Sequence, residues 1–524
     1  ASETAQYGSR GASGVINITT KKGISGKTRI NYNGSFGIAH AYRHLDMLSG
    51  DEYRKVTSEN GISILDKGCN TDFQKEIEQL GLQQNHNIAF YGGGDASNYR
   101  VSLGYLNREG VIQNESMKLF TSNMNMSQDI FDKFIQCELG LFGSVKKNRN
   151  LFDYQKTFYS AAAFNPTFPN HKDYTTDAWD QITTASQITN PLAWMEVNDC
   201  DDVSYFSAYA RLNFNLSPDL KFILFGSYTY NDTENSQYLP TIVWANGQAY
   251  RGNRRSESVL GNAMLTYRKQ LKKHFIDVLG LAELEKNTYT GFYTTVTNFS
   301  SDLMGFDNLQ AGALRPWEGT GSYYEEPHLA SFLGRVNYTY DDRYVLTVNA
   351  RTDASSKFGA NHKWGFFPSV SAAWAVSEEK FMKRIPLVDN LKLRVSYGSV
   401  GNARVNSYWR QDYKMESSAN RQYYLNETVQ SALKLQNTLR NENLTWETKL
   451  SSNVGIDASL FNSRLNVTVD FYNDITKDLI LRMDLPSNSG YEYQYQNVGR
   501  STNRGVELTL SGTIINSKDF YLGA

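Results

Sequence analysis

The sequence predicts an all-β protein whose long antiparallel strands form a transmembrane β-barrel. Three observations carry this prediction: apolar side chains recur at every second position, the strands are long, and short and long connections alternate along the chain. The 524 residues carry 53 Lys and Arg against 54 Asp and Glu, which argues against a basic nucleic-acid-binding protein. No run of about 18 apolar residues occurs in the sequence, which excludes a transmembrane helix.

Alternation with a period of two runs through most of the chain and predicts about sixteen strands. In one of them, the apolar side chains occupy the even positions: Phe206, Ala208, Ala210, Leu212, Phe214 and Leu216. Many of these strands span about 10–14 residues, whereas strands of globular proteins average about 5–6 residues. A tilted strand needs about 9–11 residues to cross a bilayer, so the observed length favours a membrane barrel.

The connections between the strands are of two kinds. Tight turns are predicted near 94–97, 217–219, 340–343 and 461–463, and they alternate with long connections. The long connections lie near 39–84, 146–203, 234–255, 288–327 and 401–443. In an up-and-down meander, alternate connections share one end, so one end carries short turns and the other carries large loops, as in outer-membrane barrels.

The two faces of the strands differ in polarity. We expect the apolar face to lie outward against lipid and the polar face to look into a wide lumen. The expected lipid-facing side chains include Leu103, Leu139, Val348 and Val467, and the expected lumenal ones include Arg100, Glu138 and Asn349. Alternation alone does not give the direction of either face. A soluble or adhesive β-protein with its apolar face inward is therefore the alternative from a different class.

Motifs for catalysis or metal binding do not stand out, and the sequence predicts neither an enzyme nor a metal or other cofactor. The glycine-rich run at 8–14 lacks the Lys-Ser/Thr of a phosphate-binding loop and precedes a strand. His40 and His44 have zinc-ligand spacing, but Ala41 occupies the position of the catalytic glutamate. The three cysteines are far apart in sequence, which makes a disulfide framework unlikely on spacing alone.

The long connections are rich in aromatic residues, which suggests a binding surface. Aromatic faces can stack on sugar rings, and their polar edges can form hydrogen bonds. The structural alternative is that these side chains form small cores inside the loops themselves. The candidate substrate-binding residues are Trp179, Trp244, Trp317, Tyr323, Trp409 and Tyr491.

A resemblance to a known family rests on three parts of the chain. The run YGSRGASGVINITTKKG at 7–23 resembles the end of the plug domain of TonB-dependent transporters, in the SusC/RagA branch of Bacteroidetes. In that branch the position of Ser13 is more often occupied by Asn. The stretches 334–369 and 443–507 resemble the same branch. The plug-end residues matched, to which we assign a structural role, are Tyr7, Gly8, Arg10, Gly11 and Gly14.

The resemblance implies a domain organisation. Such transporters are barrels of 22 strands with an N-terminal plug folded inside. By that template, residues 1–26 are the C-terminal end of the plug, and 27–524 form a barrel truncated before its last strands. This part supplies about sixteen or seventeen of the strands. The chain begins at Ala1 without Met, so we expect a piece of a longer protein that also carries the TonB box and the rest of the plug.

The resemblance also implies a function in the outer membrane. It implies active import of a nutrient, an oligosaccharide in the first place and a peptide as the alternative. The implied partners are a SusD-like surface lipoprotein that acts as a lid, and the TonB complex, which engages the missing N-terminal segment. Outer-membrane lipid surrounds the barrel, and no nucleic acid is involved.

Overall fold

The computed structural model describes most of the chain. Described are residues 7–12, 14–16, 20–181, 188–244, 246–316, 319–359, 361–403, 416–425, 428–434, 438–517 and 520–523, with the backbone alone for 416–434, 516 and 521. Within these ranges, none of the helices is both long enough and apolar enough to cross a membrane.

Strands dominate the described residues. They are β1 (Gly26–Ala39), β2 (Gly81–Gly93), β3 (Ser97–Glu109), β4 (Ser116–Ile130), β5 (Ile135–Arg149), β6 (Asn198–Asn215), β7 (Leu220–Leu239), β8 (Gln248–Leu271), β9 (His274–Phe299), β10 (Gly312–Leu314), β11 (Thr320–Glu325), β12 (His328–Tyr340), β13 (Tyr344–Ser355), β14 (Trp364–Ala375), β15 (Val388–Asn402), β16 (Glu416–Leu425), β17 (Thr428–Lys434), β18 (Thr438–Leu439), β19 (Glu447–Leu460), β20 (Leu465–Asp484), β21 (Tyr493–Asn516) and β22 (Tyr521–Gly523).

The helices are short and lie in the connections. They are α1 (Gly50–Glu59), α2 (Phe73–Glu76), α3 (Tyr154–Ala163) and α4 (Pro191–Trp194). Single 3-10 turns occupy Gly8–Gly11, Gly305–Asp307, Leu309–Ala311, Val376–Glu378, Met382–Arg384 and Ser487–Ser489.

The strand order is an up-and-down meander, as the connection lengths predicted. In the described part of the chain, seventeen strands form one wall, namely β1–β9, β12–β15 and β19–β22, each antiparallel to the next. Of the other strands, β10 and β11 pair with the far end of β9, and β18 runs parallel to β21. This count matches the sixteen or seventeen wall strands expected from the sequence.

One end of the wall carries tight turns. The turn between β12 and β13 places Asp341 and Asp342 at φ 52° and 54°, and the turn between β19 and β20 places Phe461, Asn462 and Ser463 at φ 59°, 57° and 58°. Successive residues with positive φ give a turn whose twist matches that of the flanking strands. The large loops therefore share the opposite end, which we call the loop end.

The apolar face of the wall points away from the protein interior. Leu103, Leu139 and Val348 are 39, 45 and 45% exposed, whereas Asn349, on the other face of β13, is 2% exposed. Apolar side chains this exposed on the outer face of a wall of seventeen strands are expected to contact lipid. The predicted orientation of the two faces is confirmed for these residues.

Several strands continue past the limits that the sequence predicted. β7 extends to Leu239, β8 begins at Gln248 and β9 extends to Phe299, so parts of 234–255 and 288–327 are strand instead of loop. The outer face of β8 changes at this height from Val259 to Glu257. Beyond that height both faces meet water, and the alternation that revealed the membrane part of each strand is lost.

The buried core lies in the loops at the loop end. The largest cluster joins the connections 40–80 and 150–197 to the ends of the wall strands: Phe73, Ile77, Ile112, Leu151, Ala161, Phe164, Phe168, Leu192, Trp194, Met195, Val197 and Leu239. A second cluster contains Phe358, Phe367, Leu444 and Trp446. These loops therefore fold as small packed units on top of the wall.

Candidate binding site at the loop end

The N-terminal segment fixes which face of the wall is the inner one. Arg10 contacts Glu283, and its Nη2 lies 3.1 Å from Glu285 Oε2, both on β9. Lys22 Nζ lies 3.0 Å from Glu138 Oε2 on β5. All three carboxylates lie on the polar face, so this segment is on the lumenal side of the wall.

The 3-10 turn Gly8–Gly11 packs closely against the inner wall. A Cβ on Gly8, whose φ is +61°, would stand 2.2 Å from Arg351 Nε. Arg351 and Asp353 are 3% and 0% exposed, with Nε 2.8 Å from Oδ1. Close approach and positive φ both require glycine at position 8.

The rest of the run at 7–14 is described in part. Gly11 is buried and Tyr7 is 42% exposed. Gly14 has φ +109° with open space around it, so its conformation and not its packing favours glycine.

A folded unit at the loop end is built from the connections that contain α1–α4. Each helix has a polar N-cap; Ser49 and Glu52 form a reciprocal capping box at α1, and Asp72, Asp153 and Asn190 cap the others. These caps satisfy the first N–H groups of helices too short to be stable alone. Packing on the shared core then holds the unit together.

A groove of about 1190 Å³ opens between the first large loop and α3. Its wall includes Tyr42, Leu45, Met47, Tyr53 and Phe164. Nearby, Arg54 Nε lies 2.8 Å from Asp66 Oδ2, and this ion pair lowers the pKa of the Asp66 carboxyl. The pair ties the end of the loop to α1.

The aromatic candidates are spread over the loop end. Trp179 packs against the largest loop core, and its Nε1 donates to Glu196 Oε1 at 2.7 Å. Trp244 is 51% exposed in the turn after β7, and Tyr323 is 40% exposed on β11. Tyr491 is half-buried before β21. Within the described residues no ring contact joins any two of these four.

Two of the six candidates, Trp317 and Trp409, lie outside the described residues. Part of the predicted loop 401–443 also lies outside the described residues, namely 404–415, 426–427 and 435–437, and only the backbone of 416–425 and 428–434 is described.

Polar side chains line the inner face of β5–β7 at the loop end. Asn150 Nδ2 lies 2.8 Å from Asp201 Oδ2 and 3.2 Å from Asp199 Oδ1. Gln237 Nε2 lies 2.5 Å from Asp199 Oδ2, and Asn235 also contacts Asp201. Amides and carboxylates in a row offer both donors and acceptors to a neutral, hydroxyl-rich ligand.

Sequence reasoning missed a second set of inner-face residues, the tyrosines of β8 and β9. Tyr250 and Tyr293 stack with ring centroids 6.4 Å apart and an interplanar angle of 21°. Tyr293 also lies over Gly321 of β11, beside the candidate Tyr323. The sequence of a single strand does not distinguish these tyrosines from others. They could have been found only by pairing neighbouring strands and looking for a tyrosine in register with a glycine.

No group of three His, Cys, Asp or Glu side chains that could hold a metal ion occurs among the described residues. His44 Nε2 instead lies 2.8 Å from Glu78 Oε1, within hydrogen-bond distance of another loop residue.

Comparison with known proteins identifies relatives over the whole chain. Residues 275–524 match the family described as TonB dependent receptor-like, beta-barrel. TonB-dependent receptor P3 of Formosa agariphila is 32% identical over 99% of this chain and 52% of its own length. TonB-dependent receptor SusC of Bacteroides thetaiotaomicron is 28% identical over 99% of this chain and 54% of its own.

A solved structure supports the fold. The RagAB peptide transporter superposes with a TM-score of 0.82 at 23% identity, over 99% of this chain and 62% of that chain. The chain spans about half the length of the curated relatives it matches. The predicted antiparallel transmembrane β-barrel, and the resemblance on which it partly rested, are confirmed.

Proposed function

Because this chain carries the β-barrel of a SusC-type TonB-dependent receptor, an outer-membrane family of receptors and transporters and not of enzymes, we propose that the protein imports an oligosaccharide across the outer membrane. Residues 1–26 are then the end of the plug, and 27–524 are the barrel with its loops. The cargo enters at the loop end and leaves when the plug moves.

The observation that supports an oligosaccharide as the cargo is the chemistry of the inner face at the loop end. Asn150, Asp199, Asp201, Asn235 and Gln237 present amides and carboxylates on β5–β7. Aromatic rings lie on β8, β9 and β11 of the same face. Neutral sugars are bound by ring stacking together with planar hydrogen-bonding groups.

Two partners follow from this proposal. A SusD-like lipoprotein would close over the loop end, where apolar side chains stand free: Tyr42, Leu45 and Tyr174 are 87, 65 and 88% exposed. The TonB complex would pull on the plug from below. The outer membrane has no ATP, so a partner in the periplasm must supply the energy that releases the cargo.

Among the aromatic candidates, we propose direct binding roles for Trp244 and Tyr323, whose rings are exposed. The packing of Trp179 on the loop core supports a structural role for that residue. Trp317, Trp409 and Tyr491 stay candidates on sequence grounds.

Peptide import by the same mechanism is the second candidate, and one observation favours it. The superposed RagAB structure is that of a peptide transporter. At 23% identity this likeness supports the fold and does not assign the cargo. The alternative is therefore tested directly against the first.

Uptake by the full-length protein with its lipoprotein partner tests the proposal. Cells are given fluorescent neutral oligosaccharides or fluorescent peptides of similar mass, with and without a proton-gradient uncoupler. We expect energy-dependent uptake of the oligosaccharides. Energy-dependent uptake of peptides alone would replace the proposed cargo, and uptake unaffected by the uncoupler would contradict TonB dependence.

Deletion of about 401–443 tests the role of the outer loops. We expect the barrel still to insert, with weaker association of the lipoprotein or weaker uptake. Normal uptake by a deletion variant that still holds its partner would contradict a role for this loop.

A further inference from the structure

Three tyrosine side chains at the loop end lie against glycines. A Cβ on Gly321 would stand 2.8 Å from Cε1 of Tyr293, and one on Gly291 would stand 2.6 Å from Cε1 of Tyr323. A Cβ on Gly252 would stand 2.6 Å from the hydroxyl of Tyr250. Any larger residue at these positions would lift the rings away from the sheet.

The register of β9 places these rings on the inner face. Gly291 and Tyr293 lie at odd positions of β9, as do Glu283 and Glu285, which contact Arg10 of the lumenal segment. Tyr323 pairs with Gly291 in register, so it lies on the same face. The pairing of β8 with β9 shows no irregularity between these heights.

The rings stand well above the lipid. On the outer face of β9, Leu284 is 66% exposed and is followed by Lys286, where the apolar band ends. Tyr293 lies seven residues farther along the strand, about 23 Å at the rise of an extended chain. The three rings therefore lie on the inner wall of the vestibule, by which we mean the space beside the inner face of the extended strands β7–β9.

The rings are partly exposed. Tyr293 and Tyr323 are 37 and 40% exposed, although each has ring atoms close to a glycine of the neighbouring strand. Tyr250 and Tyr293 are within 21° of parallel. None of the three hydroxyls has a hydrogen-bond partner among the described residues, so the polar edges are available as well.

Polar groups border the rings on the same face. Arg254 pairs with Gly291 in the register of β8 and β9, and Glu325 pairs with Tyr289. Both therefore lie on the inner face beside the tyrosine rings. Flat apolar rings next to a guanidinium and a carboxylate suit a ligand with an apolar face and hydroxyl edges, which is the chemistry of a pyranose ring.

We propose that Tyr250, Tyr293 and Tyr323 form a stacking platform that holds consecutive pyranose rings of a neutral oligosaccharide in the vestibule. This inference rests on the proposed oligosaccharide import and adds the residues that recognise the cargo. The glycines set the height of the rings, so Gly252, Gly291 and Gly321 are positioning residues.

The test measures binding of fluorescent α- and β-linked glucan, mannan and galactan oligosaccharides of four to eight sugars. The full-length protein is purified with its lipoprotein partner. We expect Tyr293→Ala and Tyr323→Ala each to raise Kd about tenfold, and Tyr293→Phe to raise it far less, since the ring face remains. Gly321→Val should act like Tyr293→Ala, because it displaces the same ring.

Two controls keep folding separate from recognition. Tyr324→Ala removes the neighbouring ring on the outer face, which is 65% exposed. Gly280→Ala adds a methyl group to β9 in open space. Both should bind the oligosaccharide like the unaltered protein, and all variants should keep the heat-modifiable gel mobility of a folded barrel.

The outcomes distinguish this inference from the proposed function. If the protein binds an oligosaccharide and the tyrosine variants bind it equally well, the platform is refuted and the proposed cargo stands. If no oligosaccharide binds while a random heptapeptide library does, the proposed cargo and the platform are both refuted.

Discussion

Arg10 Nη2 lies 3.1 Å from Glu285 Oε2, although 275 positions separate the two residues in the chain. The same guanidinium contacts Glu283, so one cation bridges two carboxylates on the inner face of β9. Two carboxylates on one strand face repel each other unless a cation lies between them. The contact therefore holds the N-terminal segment on the lumenal side, and it also reduces the repulsion between Glu283 and Glu285.

Arg10→Ala should loosen the N-terminal segment without unfolding the wall. Arg10 is partly exposed, so the loss is limited to about 1 kcal/mol. Hydrogen exchange of 7–12 and 20–23 should accelerate several-fold. Arg268→Ala, which removes an ion pair with Asp277 on β9, is the matched control. Equal acceleration in both variants would show that Arg10 does not hold the segment.

Val469→Arg should impair assembly of the barrel, whereas Thr468→Arg should be tolerated. Val469 lies between Ile456 and Leu508 on the outer face, where a charge near the middle of the bilayer costs about 2–4 kcal/mol. Thr468 lies on the inner face, with its Oγ1 3.2 Å from Asp457 Oδ1. Heat-modifiable gel mobility measures assembly. Similar mobility of the two variants would contradict the assignment of faces.

Phe168→Ala should open the loop unit and leave the wall intact. Phe168 is fully buried and its ring centroid lies 5.2 Å from that of Phe164. Removal of a buried phenylalanine costs about 3–5 kcal/mol. Proteolysis within 40–80 and 150–197 should therefore increase, with unchanged barrel mobility. Phe158→Ala, at a side chain that is 48% exposed, is the control and should be cleaved at the original rate.

The stabilising contribution of Glu326 should depend on pH. The Tyr324 hydroxyl, then Lys286 and His328, lower the pKa of the Glu326 carboxyl to about 2. A depressed pKa contributes stability above the ordinary value of 4.5, and this contribution is lost as the pH falls through about 2. The thermal midpoint of Glu326→Gln should thus lie below that of the unaltered protein at pH 5 and above.

The difference between the two midpoints should shrink between pH 4.5 and 2. Glu59→Gln, at the end of α1, serves as the control for the loss of one carboxyl group elsewhere in the loops. A Glu326→Gln difference that stayed constant down to pH 2 would contradict the depressed pKa.

The membrane part of the fold could be predicted because lipid constrains each strand locally. Leu103 and Leu139 face lipid while their sequence neighbours face water, and this difference is visible within a single strand. The up-and-down order of the strands follows from the alternation of short and long connections. The same alternation places all the tight turns at one end of the wall. Above the lipid this constraint ends, and there the sequence analysis ended β7 and β9 too early and began β8 too late.

The sequence predicted the type of the candidate binding residues but not which of them are exposed. The abundance of aromatic residues in the loops was evident, but whether a ring is buried depends on which loops pack together. Trp179 became part of a loop core because 40–80 and 150–197 meet above the wall. Tyr250 and Tyr293 were missed because their position depends on the register of neighbouring strands, which short sequence patterns do not encode.

The sequence by itself therefore predicted long strands with one apolar and one polar face, joined by alternating short and long connections, since each of these features depends on residues close together in the chain. The tertiary structure decided the pairing of Arg10 with Glu283 and Glu285, the loop cores and the rings over Gly291 and Gly321. These features join residues from separate segments, and their geometry is set only when strand register and loop packing bring those segments together.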